Sequence, residues 1–120
     1  LVFGDQAWMH RFAGTPAPRA KSIAESATAI RDWSELRLTR IALDQTILTW
    51  ADALKATCLE GDLSWYSGAM GRDVTRPKWQ LVTHMFNHQT HHRGQVHCML
   101  TQAGVKPDDT DIPFMPERYA

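Results

Sequence analysis

The chain has no excess of charge of either sign: 13 lysines and arginines balance 13 aspartates and glutamates. Without a global field or a basic tract, neither nucleic acid nor an anionic membrane surface is an expected partner. Cysteine is scarce as well. Cys58 and Cys98 stand far apart, without the C-x-x-C spacing of a zinc ribbon or redox pair, so both read as free thiols of a reducing compartment. No apolar run approaches the roughly 18 residues of a spanning helix. The opening lacks the charged, apolar, small-residue order of a signal peptide, so a cytoplasmic protein is expected. A length of 120 residues with 43% hydrophobic content suits one core and not two, and a single domain over residues 1–120 is expected.

Glycine and proline, seven and six in number, are few enough to act as punctuation. The opening "LVFGDQAWMHRFAG" begins without methionine and ends on Gly14, which reads as the second half of a helix with a glycine stop. "TPAPRA" then breaks the helix with two prolines. Residues 21–32 are weakly amphipathic and suggest a short helix. Asp32 and Glu35 form a D-x-x-E capping box, and Leu36, Leu43, Ile47, Trp50 and Leu54 recur near a helical period, which predicts a helix over about residues 33–58. Gly61, Gly68 and Gly71 divide a stretch rich in tryptophan, tyrosine and valine, consistent with a long loop or a small hairpin. Thr75 as cap, Pro77 in the first turn and Gly104 as stop predict a last helix of about 26 residues. The tail "DDTDIPFMPERYA" is expected to be irregular and packed through Phe114 or Tyr119.

Five of the six histidines crowd into "HMFNHQTHHRGQVH", residues 84–97, inside that last helix. At about 100° per residue, His84, His88, His91, His92 and Gln95 share one face, while His97 points away. Leu81, Met85, Val96, Met99, Leu100 and Ala103 form an adjoining stripe, so both stripes are expected to face inward. Burying several imidazoles without a metal or other partners leaves polar nitrogens unsatisfied. Histidines at i and i+4 can converge on one divalent ion, and both His84 with His88 and His88 with His92 have that spacing. His84 and His92 are about 12 Å apart along the axis, so one ion cannot take all three. A third ligand has to come from another helix. A zincin peptidase is disfavoured, since Met85 and Gln89 stand where the general-base glutamate of H-E-x-x-H belongs.

The segment "NHQTHHRGQ" within this run, with "GDQAWMHRFAG" near the start and Gly71 ahead of the last helix, resembles the DinB family. The resemblance implies an all-α four-helix bundle, with the first helix and the start of the second outside the sequence given. It also implies a divalent metal ion, nickel or zinc, held by three histidines: one on the second helix and an i, i+4 pair on the last. By position that pair is His88 and His92. The third ligand is expected about five residues before Asp5, hence just before Leu1. His10 cannot replace it, because ten residues of helix displace it by about 15 Å. Relatives of this family include thiol-dependent transferases and isomerases. Activation of a low-molecular-weight thiol is therefore the leading expectation, with metal-assisted hydrolysis second and a metal-binding homodimer without turnover as the remaining alternative.

Around the pair, Gln95 is expected to orient His91 or His92 by a hydrogen bond, and Asp5 is a further candidate for such support. Asn87 and Arg93 lie off the ligand face, and Arg93 is expected to meet an acid or cap a neighbouring helix. Gly94, costly inside a helix, suggests the close approach of another helix. The five tryptophans read as core or interface anchors.

Overall fold

Gly14 ends the first helix as its chemistry requires: its φ of 66° is open to glycine at no steric cost, and its N–H bonds the carbonyl of His10 at 3.1 Å. A computed structural model describes residues 1–109 and 111–114 of the chain. Its elements in order are α1 (Val2–Ala13), α2 (Ile23–Ser26), α3 (Trp33–Asp52), a 3₁₀ turn at Ala56–Leu59, β1 (Asp62–Ser67), β2 (Arg72–Pro77), α4 (Lys78–Gln102) and a second 3₁₀ turn at Ile112–Phe114. The chain forms two compact units that divide between Gln89 and Thr90, within the length of α4.

In the first unit, α1, α3 and the start of α4 bury one cluster made of Trp8, Met9, Leu43, Ile47, Leu81 and Met85. Rings extend it. Phe12 lies between Trp8 and Trp50, stacked on each at centroid distances of 5.4 and 5.5 Å, and Trp65 of β1 meets Trp8 edge to face at 5.6 Å. α3 starts where its capping box places it, with the Glu35 N–H donating to the Asp32 carboxylate at 2.6 Å. The reciprocal arm of the box does not form. Glu35 instead accepts from Arg19 at 2.8 Å. The helix ends at Asp52, earlier than its apolar spacing predicts, by tightening so that the Leu54 N–H reaches Ala51 O and by turning extended at Lys55.

The expected all-α four-helix bundle is not what the chain forms. There are four α-helices among the described residues, one of them a single turn, and a two-stranded antiparallel sheet stands between the two longest. β-branched and aromatic residues explain the sheet: Trp65 pairs with Val74 and Ser64 with Thr75, while alternate residues Leu63 and Trp65 turn toward the core. The turn closes through Ser67 O, which accepts from Met70 and Gly71 at 3.1 and 2.8 Å. Thr75 is therefore a strand residue. Its hydroxyl bonds that of Ser64 at 2.7 Å and caps nothing, and α4 begins directly after Pro77.

Along α4 the expected inward stripe holds only at Leu81 and Met85, which are buried. Val96, Met99 and Leu100 are exposed, as is Phe114 of the tail, and Tyr119 lies outside the described residues. Gly104 does stop the helix. The Gly104 N–H bonds Thr101 O and the Val105 N–H bonds Leu100 O, both at 3.0 Å, the paired bonds of a Schellman motif. Of the tryptophans, Trp8, Trp50 and Trp65 anchor the core, whereas Trp33 and Trp79 are exposed.

Burial sets an expectation for stability. Met9 is fully buried, so Met9→Ala is expected to cost about 2–5 kcal/mol. Met70→Ala, in the exposed turn of the hairpin, should stay within about 0.5 kcal/mol. Urea denaturation of the two variants against the parent measures the difference.

Candidate metal centre

Two contacts fix how α1 meets the histidine row. Trp8 packs edge-on against His84 with ring centroids 5.5 Å apart, and Gly4, one turn earlier, faces His88. A step back along α1 is thus a step forward along α4, so the two helices run antiparallel here. Gly4 has no side chain to spare: a Cβ built on it would lie 3.3 Å from His88 Cε1 and 3.7 Å from Nδ1. Gly94, in contrast, has no described atom within 4 Å of its Cβ position, and the tight contact with the histidine row lies at Gly4. His84 and His88 neighbour each other at 5.6 Å between ring centroids.

In the unit that begins at Thr90, His91 and His92 lie 5.0 Å apart between centroids, His91 exposed and His92 half-buried. Gln95 is placed as expected. Its Oε1 stands 2.7 Å from His92 Nδ1, and since a carbonyl oxygen accepts, Nδ1–H donates. The neutral ring then carries its lone pair on Nε2, the arrangement that prepares an imidazole to coordinate through Nε2. Arg93 donates to the Thr90 hydroxyl at 3.0 Å, on its own helix, rather than to an acid or a neighbouring helix. His97 is half-buried and lines an open cavity of about 510 Å³ together with Thr101, Lys106 and Asp108.

Asp5 is 1% exposed, and its carboxylate receives Arg40, which also donates to Asp44 at 2.6 Å. Burial pulls the Arg40 pKa down, but the hydrogen bonds to Asp44 and Asp5 and their charges outweigh it and hold the guanidinium above its ordinary range. Among the described residues Asp5 therefore ties α1 to α3 and supports no histidine. His10 donates from Nδ1 to the Thr15 carbonyl, beyond the end of α1. Cys58 and Cys98 are free and exposed. Among the described residues no three of histidine, cysteine, aspartate and glutamate are grouped to hold a metal ion, so His88 and His92 have no third protein donor there.

Gly4 and Arg40 are the residues that reading the sequence missed. The i, i+4 spacing of Arg40 and Asp44 was a usable signal for one of them. Nothing local marked Gly4.

A helical protein with a hairpin before its last long helix, and histidines along that helix, is the class these features define. The DinB family matches residues 1–119, and the chain belongs to that family. No curated protein and no solved structure matches it.

Gly4→Ala tests the close approach. Helix propensity favours alanine by up to about 1 kcal/mol, which offsets part of the crowding, so thermal stability should change little. The His88 ring must shift by a few tenths of an ångström, and its ring proton resonances are expected to move while those of His97 do not.

Proposed function

We propose that this chain holds a divalent metal ion, nickel or zinc, through His88 and His92, and that it is a metal-dependent enzyme activating a small thiol for transfer. The hydrogen bond from His92 Nδ1 to Gln95 carries the reading, because it leaves Nε2 as the coordinating nitrogen of a half-buried ring. Membership in a family that is generally metal-associated agrees with it. The i, i+4 spacing of His88 and His92 in the sequence is one that suits convergence on one ion. The donor set, two imidazoles, suits nickel or zinc equally.

A bound divalent ion supplies Lewis acidity that lowers the pKa of a thiol or of water. What the chain's own residues do is narrower: His92 is held in one tautomer by Gln95, and Gly4 admits the His88 ring against the α1 backbone.

Water activation for hydrolysis is the second reading, and the general-base glutamate of a zincin is what the sequence after His88 lacks. Gln89, next to His88, is buried and carries an amide, so it cannot take a proton as the zincin glutamate does. A small-molecule substrate is proposed in either case. The exposed Leu38, Ile41 and Leu48, which share one arc of α3, favour a homodimer in which a second copy covers them. No described helix is long and apolar enough to cross a membrane.

Elemental analysis of nickel- or zinc-loaded full-length protein tests the ligands. His88→Ala and His92→Ala are expected to lose stoichiometric metal, and His97→Ala to retain it; full occupancy in either of the first two refutes the assignment. Gln95→Leu is expected to weaken affinity by about 10–100-fold with the fold intact. For the activity, metal-loaded protein should accelerate attack of a small thiol on a panel of electrophiles. Metal that raises thermal stability without any such acceleration would favour binding without turnover.

A further inference from the structure

Arg11, in the last turn of α1, places its guanidinium carbon 4.7 Å from the centre of the Trp8 ring and 5.8 Å from that of Trp65. The two indoles are themselves in edge-to-face contact at 65°. Cation–π attraction of this kind holds a guanidinium in place and leaves its edge N–H groups available, because the ring faces satisfy none of its hydrogen-bond donors.

What surrounds the cation is unusual in what it omits. Arg11 is half-buried, and among the described residues no carboxylate lies within ion-pair distance of it and no group accepts a hydrogen bond from it. Burial pushes its pKa down with no acid to counter the effect. Arg40 is the internal comparison: burial acts on it too, and Asp44 and Asp5 more than compensate. A partly desolvated charge without a counter-charge is a standing cost that an arriving anion relieves.

We propose that Arg11 is an anion-docking group, which receives the carboxylate or phosphate of a small ligand along the edge of a guanidinium backed by Trp8 and Trp65. Both oxyanions match the two parallel N–H donors of the fork. Trp8 also packs against His84, so the same indole that backs the guanidinium touches the histidine row of the first unit. The proposal stands on Arg11 and its two indoles and does not depend on a metal.

Titration of the full-length, metal-free protein with succinate, with inorganic phosphate and with neutral succinamide, followed by the Arg11 Nε–H resonance and by tryptophan fluorescence, tests it. The expected result is a saturable shift with succinate or phosphate and none with succinamide; whichever anion binds more tightly identifies the oxyanion. Arg11→Lys keeps the charge and loses the fork, so affinity should fall by about tenfold or more while far-UV circular dichroism is unchanged. The absence of a saturable shift with either anion overturns the proposal, as does an equal response to succinamide or an unchanged affinity in a folded Arg11→Lys variant. Should that variant not fold, the parent titration alone decides.

Discussion

The contact of one edge of α1 with His84 and His88 of α4 is the constraint on which the rest of the site depends. Two residues one turn apart on a single edge of α1 set it, and they are opposite in kind: Gly4 contributes no side chain where the His88 ring lies, and Trp8 contributes the largest one where His84 lies. The same indole also meets Phe12 and Trp65, so the contact that positions the first part of the histidine row is part of the aromatic core. The buried Asp5, next to Gly4, extends the tie to α3 through Arg40.

Control of His92 is of another sort. It is local to one helix: Gln95 stands three residues on, and its carbonyl oxygen selects the Nδ1–H tautomer. His88 is therefore governed by tertiary packing and His92 by its own helix, although both belong to one i, i+4 pair. For the proposed chemistry this division matters, since a change in the packing of α1 and a change at Gln95 reach different ligands by different routes. The docking group proposed at Arg11 shares Trp8 with the histidine row, which links anion recognition to the same packed edge.

What could be read in the sequence was whatever is written within a few residues. Gly14, Gly104 and the Asp32 cap are local devices, and the helix ends they imply stand where expected. Gln95 beside His92 is local as well. The hairpin was legible only in part, since Gly61, Gly68 and Gly71 allow a loop as readily as two strands until Trp65 and Val74 are seen to pair. Thr75 is ambiguous for the same reason: a threonine before a proline can cap a helix or end a strand, and pairing across the sheet decides. The pairings of Gly4 with His88 and of Asp5 with Arg40 join residues far apart in the chain, and no pattern within one element encodes them. Gly94 shows the converse error. A helical glycine suggests close approach, yet among the described residues no atom of another element lies within 4 Å of the Cβ position that Gly94 lacks.

The central claim is that one divalent ion draws on His88 and His92 together. Long-range proton–nitrogen correlation spectra of the imidazoles during a zinc titration of the full-length protein address it most directly. The account predicts that ring nitrogens of His88 and His92, Nε2 in the case of His92, shift in parallel and saturate at one equivalent, while His91 and His97 stay in place. A shift confined to other histidines, or a response of only one of the pair, would contradict it.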